Sequence, residues 1–219
     1  RQGVKAWEND MRGHVSQSID KYLEFAKLTH KDLKPALTPC LDDHQFCSQD
    51  FEEQGKLHVD CARIVLKILY FAIHARPDIL WTVNSLAREV TKWTKACDKR
   101  LHRLVCYLKH TQNLVIVSFV GDSPLNCKLV MFIDASFAGD LKDSKSTTGG
   151  FLALIGPRTF VPICWMCKKQ GAVSHSSSEA EVIALDAGAR LEGIPCLIFW
   201  DTVISTFHPK IEKYYIGEA

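Results

Sequence analysis

The apolar pattern of this chain changes period near Thr111, and that change limits what the chain can fold into. Before it, apolar residues recur three and four apart, the spacing of a helix with one buried face. Residues 1 to about 34 read as an irregular lead followed by a helix with Ile19, Tyr22, Leu23 and Leu28 on one side. Residues 35 to 57, with Pro35, Pro39, Gly55 and several acids, read as a connecting loop. A helix from about Val59 to His74 shows Ile64, Val65, Ile68, Leu69 and Ala72, and Arg76-Pro77-Asp78 ends it. Pro77, lacking an N–H, suits the first turn of the next helix, through Ile79, Val83, Leu86, Ala87 and Val90. A further helix, about Lys95 to Lys109, carries Leu101, Leu104, Val105 and Leu108 on one side and basic residues on another.

After Thr111 the apolar runs are short, β-rich and separated by turn residues. Leu114–Val117, Lys128–Ile133, Gly149–Gly156 and Val161–Cys167 read as strands, with Gly121-Asp122-Ser123-Pro124 as a turn. Ser176 to Ser178 then cap a helix whose first turns hold acids and whose apolar residues run through Ile183, Leu185 and Ala189. The pattern predicts an α/β fold of the α+β kind: a mostly helical region over 1–112, then a domain over 113–219 with a mixed sheet and a packed helix.

Composition agrees with a globular protein: 219 residues, 47% hydrophobic and 24% charged, with no apolar run long enough to span a bilayer. The opening Arg1-Gln2-Gly3 has neither a start methionine nor a signal-peptide pattern, so the chain reads as part of something longer. The net charge of +2 hides an asymmetry. Residues 1–112 hold 18 Lys and Arg against 14 Asp and Glu, and Lys92, Lys95, Lys99, Arg100, Arg103 and Lys109 crowd one stretch with Asp98 as its acid. Such a helix suits a polyanion; its plain alternative is a solvated face. Nine scattered cysteines without a secretory signal point to reduced thiols and a cytoplasmic setting, or a nuclear one.

Two acidic stretches 47 residues apart carry the chemistry: Phe132-Ile133-Asp134-Ala135-Ser136 and Ser177-Ser178-Glu179-Ala180-Glu181. Asp134 is the first polar residue beyond an apolar strand, where a sheet opens to solvent, and the small Ala135 and Ser136 leave room for a phosphodiester. Glu179 and Glu181 lie about 200° apart around a helix, so one of them faces the sheet. The apolar neighbours Val182 and Leu185 favour Glu181. Two carboxylates close together hold Mg²⁺, which activates water and neutralises charge on a leaving oxygen. The plain alternative for the acidic helix start is capping and dipole complementarity.

Other combinations rank behind. Cys164 and Cys167 have redox spacing but sit in a strand, on opposite faces. Cys40, His44, Cys47, His58 and Cys61 hold zinc-ligand types at irregular spacing. The serine run lacks a His–Asp pairing.

From about Lys21 to Trp200 the chain resembles the C-terminal part of copia-type retrotransposon Pol polyproteins. The resemblance rests on Tyr70 with Ala75-Arg76-Pro77-Asp78-Ile79, on Tyr107-Leu108-Lys109-His110-Thr111, and on Asp134-Ala135-Ser136-Phe137-Ala138-Gly139-Asp140. It continues in Lys145-Ser146-Thr147-Thr148-Gly149-Gly150, Trp165 with Lys168-Lys169-Gln170, and Ser177-Ser178-Glu179-Ala180-Glu181. It implies a reverse transcriptase thumb/connection-like region over 1–112 and a ribonuclease H-like domain over 113–219, incomplete at its C-terminus. It also implies Asp134 and Glu181 as catalytic carboxylates and metal ligands, and Mg²⁺ or Mn²⁺, weakly bound, as cofactor. The reaction implied is two-metal hydrolysis of the RNA strand of an RNA–DNA hybrid. Lys99, Arg100, Arg103, Lys109, Ser136, Lys168 and Lys169 would contact nucleic acid. The remainder of the Pol polyprotein would be a partner; no membrane is implied. The polymerase Asp-Asp motif would lie upstream of residue 1. Of four carboxylates in the nuclease design, the last two follow the helix, where Phe207–Ala219 offers Glu212 and Glu218, and Asp201 looks helical. The alternative reading is therefore a catalytically inactive remnant that at most binds nucleic acid or a partner chain.

Overall fold

A computed structural model describes residues 3–139 and 143–208. The chain forms two compact units, one of Glu8–Ile116 and one joining the first seven residues to Val117 onward.

The first unit is helical. Its centre is α3 (Cys61–Ala75), where Ile64, Val65, Ile68, Phe71 and Ala72 are wholly buried. Spaced three and four apart, these residues form one stripe, which packs against α1 (Arg12–Ala26) and α4 (Leu80–Arg88). Pro77 opens a short 3₁₀ turn, Pro77–Ile79, before α4 rather than α4 itself. The last helix, α5 (Lys95–His110), buries Leu101, Leu104, Val105 and Leu108, as its spacing predicts. Between α1 and α3 the segment read as loop contains a short helix, α2 (Ser48–Glu52), packed on α5. Gly55 closes this joint: a Cβ there would meet the Thr94 carbonyl oxygen at 2.6 Å.

Two stretches recognised in the sequence prove to be one structure. Arg76 is buried, and its Nε and Nη2 donate to the two carboxylate oxygens of Asp78 at 2.9 and 2.8 Å. The same guanidinium donates to the Thr111 carbonyl and hydroxyl at 3.1 and 2.8 Å, and the Tyr107 hydroxyl donates to Asp78 at 2.8 Å. The network ties the turn after α3 to the end of α5.

The second unit is a five-stranded sheet with helices. β1 (Lys5–Asn9), β2 (Ile116–Val120), β3 (Lys128–Ser136), β4 (Thr147–Gly156) and β5 (Thr159–Lys169) lie in the order β1-β2-β5-β4-β3. β2 pairs with β5, β5 with β4 and β4 with β3, all antiparallel. β3 to β5 is a meander of consecutive strands, and among the described residues β3 is the last strand on its side. The fold class is thus α/β as the pattern predicts: helices together with a five-stranded antiparallel sheet. The lead before α1, read as irregular, is β1; its five residues are all exposed and alternate in no way that marks a strand.

After the sheet comes α6 (Ser177–Gly188), which continues through a π-helical turn, Ala189–Gly193, into α7 (Ile194–Phe207). α6 packs on β3 and β4 through Ala180, Ala184 and Gly188. Residues four apart are small here because the helix lies close to the sheet. A Cβ on Gly188 would sit 2.5 Å from Ile133 Cδ1. Among the described residues no helix is long and apolar enough to cross a membrane.

Candidate functional site

Asp134 stands near the C-terminal end of β3, opposite Gly149 of β4, and is exposed. Side chains alternate along a strand. Met131 and Ile133 are the ones beneath Gly188 of α6, so Asp134 belongs to the other set, with Phe132 and Ser136. Phe151 of β4, opposite Phe132, stacks on Trp165 at 6.2 Å and on Phe160 at 6.5 Å, so this face of the sheet is aromatic. No side-chain hydrogen bond or ion pair holds Asp134 among the described residues.

Glu181 is exposed on α6, next to the buried Ala180. The inward stripe runs through Ala180, Ala184 and Gly188, while Val182 and Leu185 are exposed; they do not orient Glu181. Hydrophobicity misled here because close approach to the sheet selects small residues. Glu179 serves the helix start: its carboxylate accepts from the His175 N–H at 2.6 Å, and its own N–H donates to Ser176 Oγ at 3.1 Å. This reciprocal arrangement satisfies amides at the N-terminus. Gln170 locks the helix to the strands, donating from Nε2 to the Ala180 carbonyl at 2.9 Å and to Thr148 Oγ1 at 3.2 Å. Ala135, opposite Thr148, lies at the same level of the sheet. Asp134 and Glu181 are therefore carried to the same end of the sheet by neighbouring elements, with Asp134 on the strand face turned away from α6.

Carboxylate oxygens are the donors that magnesium and manganese take. Among the described residues, no group of three or more His, Cys, Asp or Glu side chains is arranged to hold a metal ion. The two carboxylates do not by themselves complete a divalent-metal site. Asp201 lies in α7, and Glu212 and Glu218 lie outside the described residues.

The basic helix is engaged within its own unit. Lys99 pairs with Asp50 at 2.5 Å, Arg100 with Asp43, and Lys95 with Glu53 at 2.9 Å. Arg103 donates to the Thr38 carbonyl at 2.8 Å and hydroxyl at 2.9 Å. Lys109 is half-buried near the end of α5. The complementary signal was present in the sequence as Asp42, Asp43, Asp50, Glu52 and Glu53, all in the segment read as loop. In the sheet unit Lys168 is exposed at the end of β5, Lys169 pairs with Asp143 at 2.8 Å, and Ser136 is exposed at the end of β3.

Asp50 is a buried acid, and the Lys99 hydrogen bond holds its carboxyl below the usual range, against the opposing effect of burial. A depressed folded-state pKa contributes stability above the ordinary carboxylate value and loses it as pH falls through the folded value. The α2–α5 joint is expected to loosen on acidification below about pH 4, while the α3 core persists. Amide exchange over Ser48–Glu52 against pH checks this, and Asp50→Asn should remove the acid step. Retention of that step in Asp50→Asn would refute the assignment.

The helical unit also holds a cavity of about 1220 Å³, lined among others by Tyr22, Phe25, Phe46, Lys34, Lys56 and His102. Burial lowers the pKa of His102, and its Nδ1 shares a 2.8 Å hydrogen bond with the Tyr22 hydroxyl. Several thiols have partners. Cys40 bonds Thr82 Oγ1 at 2.8 Å, and Cys61 is buried against the His58 and Val90 carbonyls. Cys164 is pushed up to about 12 by burial and by its hydrogen bond to Glu192. It faces Leu152 across the ladder, whereas Cys167 faces Gly149, on the opposite side of the sheet.

No protein-family profile and no solved structure matches the chain. It is 30% identical to the Retrovirus-related Pol polyprotein from transposon TNT 1-94 of Nicotiana tabacum, over 76% of this chain and 12% of that protein. It is 34% identical to the corresponding polyprotein from transposon RE1 of Arabidopsis thaliana, over 54% of this chain and 8% of that protein. It is also 31% identical to Secreted RxLR effector protein 161 of Plasmopara viticola, over 54% of this chain and 78% of that protein. The chain thus spans about a tenth of the length of the Pol polyproteins it matches. With several such relatives at about this identity, the chain belongs to the copia-type retrotransposon Pol polyproteins.

Proposed function

We propose that the sheet unit is the ribonuclease H-type part of a Pol protein, directed at the RNA strand of an RNA–DNA hybrid, with Asp134 and Glu181 as its acidic residues. The observation that carries this is the meander β3–β4–β5 followed by α6 on β3 and β4, which brings both carboxylates to one end of the sheet. A bound divalent cation would supply an activated water and charge neutralisation. The chain's own part is access and orientation. Ala135 and Gly149 leave the strand end open, and Ser136 and Lys168 are exposed there for phosphate contact. Recognition would rest on phosphates and 2′-hydroxyls rather than base sequence. The rest of Pol would be the natural partner, in the cytoplasm or nucleus, where thiols stay reduced.

A second reading, a non-hydrolytic segment that binds hybrid or a partner chain, is favoured by one observation: Asp134 faces away from α6. Incubating the chain with end-labelled hybrid in Mg²⁺ or Mn²⁺ separates the two. On the first reading the wild type cleaves, and Asp134→Asn and Glu181→Gln each lower the rate by about a hundredfold or more. Cleavage equal in wild type and variants, or absent from all, overturns it. Fluorescence anisotropy on the same hybrid then reports whether binding without cleavage remains.

A further inference from the structure

We propose that Cys164 and Cys196 form a dithiol modification site beneath the π-helical turn, which a low-molecular-weight disulfide such as glutathione disulfide converts to an internal disulfide. The two thiols come from elements far apart in the sequence. Met131, Leu152 and Cys164 lie side by side across β3, β4 and β5, so Cys164 belongs to the sheet face that α6 covers. The turn Ala189–Gly193 passes over the same row: a Cβ on Gly193 would sit 3.5 Å from Met131 Sδ. From that turn Glu192 reaches the sheet, and the Cys164 thiol donates to its carboxylate at 3.3 Å. Cys196 follows Glu192 by four residues, about one helical turn, and so shares its face. Exposure marks that face as the inward one. Glu192, Cys196 and Trp200 are half-buried and Ile204 is buried, while Leu191, Ile194 and Leu197 are exposed.

The spacing along the chain points to the wrong pair. Cys164 and Cys167 have the separation of a redox motif, yet they occupy opposite faces of the sheet. Cys196 is the thiol that the fold brings to Cys164. Burial pushes both thiols up, and the Glu192 carboxylate adds to it at both. The charge of an ionised Cys196 raises Cys164 further, so Cys196 ionises first. Its thiolate attacks one sulfur of glutathione disulfide and releases one glutathione. Cys164, with Glu192 as acceptor for its proton, then attacks the Cys196 sulfur of the mixed disulfide and releases the second. Two electrons pass to the glutathione, both thiol protons end on the two glutathiones formed, and Glu192 is again a carboxylate. Raised thiols hold little thiolate at neutral pH, so the exchange is slow and the pair stays reduced until the disulfide is in sustained excess. Intracellular disulfides are characteristically transient and redox-sensing, and this one would tie the turn after α6 to β5.

This inference does not depend on the nuclease reading, since neither Asp134 nor Glu181 takes part. The test incubates the full reduced chain with excess glutathione disulfide, then denatures it and alkylates it with N-ethylmaleimide. Two of the nine cysteines should escape the label, and peptide mapping of the wild type should join Cys164 to Cys196. Dithiothreitol should restore both labels. Cys164→Ser and Cys196→Ser should each abolish the internal bond, whereas Cys167→Ser should leave it intact. In the wild type, amide exchange over Ala189–Cys196 should slow on oxidation, a measurement that needs no variant. Full labelling after oxidation would overturn the proposal, as would a glutathione adduct that never closes onto the second thiol. So would a bond from Cys164 to Cys167 or to a second chain, or exchange over the turn that ignores oxidation.

Discussion

Arg76→Met is expected to cost the helical unit about 2–4 kcal/mol, because it removes a buried guanidinium and its hydrogen bonds while the Asp78 carboxylate left behind is partly solvated. Methionine fills much of the volume but leaves Asp78 without its bidentate donor and Thr111 without two hydrogen bonds. Among the described side chains, Asp78 keeps the Tyr107 hydroxyl, at 2.8 Å. Arg76→Lys should recover part of the loss at most, because an ammonium cannot reproduce the planar fork that reaches both Asp78 oxygens and Thr111 together. Urea unfolding of the full chain, followed by far-UV circular dichroism, measures the difference. An Arg76→Met chain within about 1 kcal/mol of wild type would show that the network contributes little, as exposed pairs do.

Phe71→Ala should be comparably severe, about 3–5 kcal/mol, because the ring is wholly buried at the centre of α3 and its removal leaves a cavity that neighbours fill only in part. The adjacent Tyr70 is the control. It is 52% exposed and contacts His14 and His74 by ring packing alone, so Tyr70→Ala should cost about 1 kcal/mol or less. Tyr70 is the residue that carries resemblance to Pol sequences, and Phe71 is the one that carries the core. Equal destabilisation by both substitutions would mean that this face of α3 is covered by something beyond the described residues.

These two predictions show where the sequence was readable. The stripes of α3 and α5 could be read because a helix repeats its buried face every three or four residues, and Ile64, Ile68, Leu101, Leu104 and Leu108 follow that rule without exception. Strands β3 to β5 were visible as apolar runs, and the Ser176 cap as a serine before an acidic turn. The motif around Arg76 and the motif around Tyr107 were each recognisable, but nothing local says that they meet. Their connection crosses 35 residues between Arg76 and Thr111.

The candidate site divides in the same way. That Asp134 ends an apolar strand, and that Glu179 and Glu181 begin a helix, follows from composition and period. Which of the two acids is spent on the helix terminus depends on a carboxylate reaching back to the His175 amide. Which side of α6 lies on the sheet depends on how closely the backbone approaches Ile133, and close approach favours Ala180, Ala184 and Gly188 over the larger Val182 and Leu185.

By itself the sequence determined the change from helical to strand period, the main core stripes, the approximate extents of α3, α5 and β3 to β5 and the places of the two acids along the chain, because each is set by neighbours within a few residues. Tertiary structure alone decided the rest. It made a strand of Lys5–Asn9 by pairing it into the sheet, and it turned the cations of α5 onto Asp43, Asp50 and Glu53. It also set Asp134 on the β3 face away from α6. Each of these is a choice of partner or of face, and backbone period is blind to both: a strand turned over, or a lysine turned to an acid fifty residues away, reads the same along the chain.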